Sequence, residues 1–148
     1  MRSGDGKDES FAVHLTVFEV PPGLSPGELK SHLVGGQDSA GEHARYKDQL
    51  NRYAAYSDEA HGVACVRYTQ FSRDTRPRRQ SGSTEPMEFR IYGIACQHPG
   101  NSAIVAMVGY SHRFDAVDSE RDPDDWPKAA RHVVESLEFR TLPISMQE

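Results

Sequence analysis

From Phe11 to Val20 apolar residues recur at every second position, with Phe11, Val13, Leu15 and Val17 on one side of an extended chain. A period of two predicts a β-strand, and Pro21-Pro22-Gly23 stops it. Helix-start signals follow. Ser25 fits the N-cap, Pro26 the first helical position and Glu28 the capping box, with Leu24 and Leu29 placed as a hydrophobic staple. Gly35-Gly36 is the expected end. Ser39 and Glu42 repeat the capping-box spacing, and Tyr46, Leu50, Tyr53 and Ala54 recur at helical intervals, so residues 40–54 read as a second helix. The run Arg52–Tyr56 could instead begin a strand.

A three-strand meander comes next, over residues 62–72, 87–97 and 102–114. His98-Pro99-Gly100-Asn101 has the composition of a tight turn. With Pro99-Gly100 as a two-residue loop, Ile94 pairs with Val105, Tyr92 with Met107, Ile91 with Val108 and Phe89 with Tyr110. Phe89, Ile91, Ala95, Ile104, Val108 and Tyr110 then share one face, and Tyr92, Ile94, Cys96, Val105 and Met107 the other. Both faces are apolar and need cover. A last helix offers some, capped by Asp122 or Asp124, with Asp125 favouring its positive end. Trp126, Ala130, Val133, Val134 and Leu137 form its apolar stripe. Residues 137–142 read as a short strand stopped by Pro143.

The expected fold is therefore α+β: an antiparallel sheet covered by helices on both faces, with a three-strand meander and a long C-terminal helix. Residues 11–142 form one domain, with tails at 1–10 and 143–148. A chain of 148 residues, 36% hydrophobic and 26% charged, can bury a core without metal. Its net charge of -5 gives no general attraction to nucleic acid or anionic membranes. No apolar run approaches the roughly 20 residues of a membrane span.

The cysteines change the picture most. Cys65 and Cys96 are the only two, and folding their strands into a hairpin places them opposite each other, with Val66 facing Ala95 and Tyr68 facing Gly93. Opposed antiparallel residues can lie about 4.5 Å apart at Cα, within disulfide reach. A disulfide implies an oxidising compartment. The competing reading is two buried thiols in a cytoplasmic protein. Residues 1–10 contain no hydrophobic segment, so no signal peptide is visible as written. The matched cysteine positions tilt the expectation towards the periplasm or cell envelope, with the cytoplasm as the alternative.

Other candidate chemistry is sparse. There is no CxxC motif to support redox work, and zinc would need a second histidine beside His98. The 7 histidines form no HxH or HExxH pattern. His61 and His98 could be neighbours at the ends of the hairpin strands. Arg73, Arg76, Arg78 and Arg79 crowd the long hairpin loop, and Asp115, Asp118, Glu120, Asp122, Asp124 and Asp125 form an acidic stretch. The acidic stretch lacks the EF-hand spacing for calcium, and the arginines lack the interleaved aromatics of a single-strand binder. The two segments read either as solvated loops or as contacts for a partner, with Arg73, Arg76, Arg78, Arg79, Asp118 and Asp122 the candidate residues. No GxSxG, P-loop or GxGxxG is present.

The segments Gly62–Tyr68, Ile94–Pro99 and Gly109–Arg113, with the terminal helix over 129–139, resemble small uncharacterised proteobacterial envelope proteins, often lipoproteins. The order of elements and Ser136-Leu137-Glu138-Phe139 are similar to the PsbP-like α/β/α sandwich. The chain lacks that group's Pro-x-x-Trp hairpin segment and carries no lipobox cysteine. The resemblance implies a binding or assembly role without cofactor or metal, and transfers no site residues. The expected function is non-catalytic binding of another protein, as adaptor, immunity protein or assembly factor. The alternative is a small hydrolase or ligand-binding domain, with a site near His61 and His98 or under Trp126 and Tyr110.

Overall fold

The computed structural model describes residues 8–37, 46–59, 62–77, 79, 81–115 and 121–137. Its elements are β1 (Ser10–Glu19), α1 (Pro26–Gln37), β2 (Tyr46–Asp58), β3 (Val63–Asp74), β4 (Met87–His98), β5 (Asn101–Asp115) and α2 (Lys128–Glu135). The strands form one antiparallel sheet in the order β1-β5-β4-β3-β2. Strands β2 to β5 are a meander, and α1 carries the chain from one sheet edge to the other.

The start signals of α1 act as read, but the helix does not stop at Gly35-Gly36 and runs through them to Gln37. Glu28 N–H donates to Ser25 Oγ at 3.2 Å, and Ser25 N–H donates to Glu28 Oε1 at 3.0 Å, a reciprocal capping box. Leu24, Leu29 and Leu33 pack with Val66, Ala95 and Val105 on one face of the sheet. The opposite face carries Phe71, Tyr92, Val108 and Tyr110, packed against Trp126, Ala130 and Val134.

The helix-covered sandwich expected from the sequence, PsbP-like and closed by a long terminal helix, is overturned. The protein is mostly antiparallel sheet, and the two helices among the described residues have 12 and 8 residues. Each shields only a patch of the face it lies on. The second expected helix is strand β2 from Tyr46 onward, and the earlier residues of that helix lie outside the described ones. Its apolar spacing suits a strand packed on both sides: Leu50 joins the core beneath α2 and Tyr53 the core beneath α1. Pairing with the apolar β3 outweighs local helix preference.

The terminal helix is short because Pro127 sits at its N-cap, with no side-chain cap. Asp122 and Asp124 therefore do not cap it. Asp122 Oδ1 instead accepts from Asp124 N–H at 3.0 Å inside a turn, and Trp126 packs from that loop rather than from the helix. The strand expected over 137–142 lies, past Leu137, outside the described residues.

The register between β4 and β5 also differs. His98 pairs with Asn101 as the tight turn requires, but an irregularity follows, and from Gln97 the ladder resumes at Val105. Local bonds explain the shift. His98 Nδ1 accepts from Gly100 N–H at 2.9 Å, Asn101 Oδ1 accepts from Ala103 N–H at 3.0 Å, and the Ala103 carbonyl turns to Val20 N–H at 2.8 Å. Ile94 thus faces Val108, and Tyr92 faces Tyr110. The offset is odd, so β5 presents the opposite set of side chains to each face.

Candidate functional site

Cys65 and Cys96 are opposed in the β3–β4 ladder and joined by a disulfide, with Cα atoms 4.2 Å apart. Neither sulfur is free for chemistry. His98 serves its own turn, and His61 lies outside the described residues. No group of three or more His, Cys, Asp or Glu side chains among the described residues could hold a metal ion. No described helix is long and apolar enough to cross a membrane.

The charged segments flanking the sheet meet each other. Arg79, its side chain 6% exposed, donates through Nε to Asp8 Oδ2 at 2.8 Å and through Nη2 to Asp115 Oδ2 at 3.4 Å. The hairpin loop is thus tied to both the N-terminal segment and the start of the acidic stretch. Arg73 lies 3.6 Å from Asp48 and 3.9 Å from the fully buried Glu88. Arg76 is exposed, its N–H bonded to Asp74 Oδ1 at 3.0 Å, and Asp122 is exposed in its turn. Arg78 and Asp118 lie outside the described residues. Arg121 grips Glu88 with two bonds, at 2.8 and 2.9 Å, and Arg90 adds a third at 3.2 Å. Much of the charge in these segments therefore closes one end of the sheet.

An open groove runs on the α2 side, between α2 with its leading loop and strands β2 and β3. Thr69 builds its wall. Trp126 Nε1–H donates to Thr69 Oγ1 at 2.9 Å, and the Thr69 hydroxyl donates to the Pro123 carbonyl at 3.1 Å. That locks the loop onto the sheet and leaves Trp126 only 5% exposed. The Arg67 guanidinium lies 3.9 Å over the indole, a cation–π contact that holds a long side chain in place. On one side of this pair a hollow of about 300 Å³ is bordered by Arg52, Asp124 and Pro123. On the other, a hollow of about 540 Å³ is bordered by Tyr56, Asp58, Ile94, Arg131, Glu135 and Leu137.

The groove's chemistry is that of recognition. Arg52 Nη1 bridges both Asp124 carboxylate oxygens at 3.3 Å. Burial pushes the Tyr56 phenol up, Asp58 adds to this, and Arg67 opposes it. The phenol therefore stays neutral and keeps its donor at neutral pH. Neither histidine nor cysteine is among the described residues lining the groove. Its polar groups are arginines, carboxylates, a tyrosine and the Thr69 hydroxyl already spent on Trp126. The sequence reading found Trp126 but passed over Tyr56, Arg67 and Arg131. The available signal was Arg67 itself, a lone cation interrupting the apolar run Val63-Ala-Cys-Val66 before Tyr68.

Comparison with protein-family models, curated proteins and solved structures returned no match for this chain.

Proposed function

We propose that this protein is a non-catalytic component of the bacterial envelope that binds a segment of another protein in the groove beside Trp126. The observation that carries the reading is the Arg67–Trp126 pair between two open hollows, with Tyr56 exposed next to it. Trp, Tyr and Arg are the residue types that concentrate binding energy at protein interfaces. Cations Arg52, Arg67 and Arg131 line it together with Asp58, Asp124 and Glu135, a mixed-charge lining that favours a partner of complementary charge. Small-molecule sites are more enclosed and more apolar, which favours a protein segment over the ligand-binding alternative. The disulfide supports an oxidising address such as the periplasm.

The test is a photo-crosslinking residue at Tyr56, with the same residue at Lys30 on α1 as a control. The expected result is one discrete adduct from Tyr56, absent from Lys30 and lost when Arg67→Glu and Arg131→Glu are added. Identical adducts from both positions, or none from Tyr56 in envelope extracts, would overturn the reading.

A further inference from the structure

Strand β1 leaves its apolar side open. Phe11, Val13, Leu15 and Val17 are 57%, 61%, 64% and 61% exposed, on the face where α2 packs chiefly over β5 and β4. Among the described residues β1 is also a sheet edge, bonded to β5 on one side only. Its ten residues pair with β5 without a bulge, and Ser10–Phe18 contains no proline, lysine or carboxylate. Those are the features that proteins use to blunt an edge. The opposite edge has them. β2 breaks its ladder between Lys47 and Leu50, where Asp48 takes a φ of 53°, and it carries Lys47, Asp48 and Arg52.

We infer that β1 pairs antiparallel with β1 of a second copy of this chain, about a two-fold axis through His14, to form a ten-stranded sheet. The sequence of the strand carries the choice of partner. In a register centred on residue 14, Phe11 lies opposite Val17 of the second copy and Val13 opposite its Leu15. All four exposed side chains then find an apolar partner on the same face, and the like charges that meet, Glu9 opposite Glu19 of the second copy, lie at the two ends of the pairing, where they weaken it. Centring on Val13 would put Val17 opposite Glu9, and centring on Leu15 would put Phe11 opposite Glu19. The protected β2 edge cannot extend the sheet further, so the assembly closes as a dimer instead of growing as a filament. The contact is narrow, one strand edge and one apolar stripe, well below the ~800 Å² per partner of a standard interface. A weak, reversible dimer is expected. This surface is separate from the Trp126 groove and stands whether or not that groove binds a partner.

The experiment is sedimentation of the full chain over a concentration series from the low micromolar to the millimolar range. Wild type is expected to pass from monomer to dimer. Val13→Lys with Leu15→Lys is expected to stay monomeric with an unchanged circular dichroism spectrum and melting curve, since both side chains face solvent in the single chain. Under mild oxidation, His14→Cys is expected to give a disulfide-linked dimer, because only residue 14 meets itself in this register, and Thr16→Cys is not. A monomer at every concentration would overturn the inference. So would a dimer untouched by the lysine pair, or Thr16→Cys linking as readily as His14→Cys. A chain ending at Leu137 that dimerises where the full chain does not would also overturn it, by assigning the edge to the chain's own C-terminal residues.

Discussion

Tyr68 and Gly93 stand directly opposite each other in the β3–β4 ladder, and the tyrosine ring occupies the space that a side chain at Gly93 would need. A Cβ built on Gly93 would fall 2.2 Å from both Cζ and Oη of Tyr68. The ring itself is only 2% exposed, so it cannot swing clear, and burial holds its phenol well above the ordinary value. Gly93→Ala is therefore expected to destabilise the fold by about 1–3 kcal/mol, the usual cost of overpacking. In a Tyr68→Ala background, where the ring is gone, Gly93→Ala should cost less than it does in the wild type. Urea denaturation of the two single variants and the double variant measures the coupling, and strict additivity would refute the close approach.

This pair also shows how far the fold could be read beforehand. Setting Cys65 against Cys96 fixed the β3–β4 register, and Tyr68 opposite Gly93 followed from it. The capping box at Ser25 and Glu28 was equally legible, because it depends on residues three apart. What failed depended on partners distant in sequence. Leu50 and Tyr53 look helical until β3 presents an edge with apolar residues on both faces. The β4–β5 offset arises from side-chain bonds of His98 and Asn101 that turn propensities do not encode. At the candidate site, Trp126 stood out as the only tryptophan. Arg67 joins it from a strand nearly sixty residues away, a meeting that no local pattern announces.

Glu88 is fully buried and shared by three arginines: Arg121 in two bonds, Arg90 in one, and Arg73 at 3.9 Å. Removing the carboxylate leaves these cations facing one another at the closed end of the sheet. Glu88→Ala is expected to cost about 3–5 kcal/mol, the range seen when one member of a buried ion pair is deleted. Arg121→Ala should cost less, because Arg90 still bonds Glu88 and Arg121 keeps 19% exposure. Thermal unfolding of both variants gives the ranking, and equal losses would argue against Glu88 as the shared centre.

The Cys65–Cys96 disulfide closes a loop with a sequence separation of 31. Cross-linking a loop of that length is worth about 3–4 kcal/mol through the unfolded chain. The paired substitution Cys65→Ala with Cys96→Ala should lower stability by that amount while keeping the β3–β4 pairing, since both sites are buried beside Val63. Mass spectrometry of the intact protein should show the addition of two hydrogens on reduction. Equal stability of the wild type with and without reductant, once reduction is confirmed by mass, would show that the bond contributes nothing.

Asp8 supplies a pH test of the closed sheet end. The Ser81 hydroxyl donates to Asp8 Oδ2 at 2.5 Å, and Ser81 N–H donates to Asp8 Oδ1 at 2.9 Å. These bonds, with the Arg79 guanidinium, outweigh partial burial and lower the Asp8 carboxyl from 3.8 to about 2. A carboxylate depressed in the folded state stabilises the fold fully above its unfolded value and loses that contribution as pH falls through the folded value. The Asp8 contribution should therefore be intact above about pH 4 and fade between pH 4 and 2. Asp8→Asn removes the titrating group, so its stability should fall less steeply than that of wild type across this window. Ser81→Ala removes the hydroxyl bond that contributes most to the depression and should shift the loss to higher pH. Urea midpoints at half-unit steps from pH 5 to 2 decide it: parallel curves for wild type and Asp8→Asn would mean that the loop is not anchored through this carboxylate.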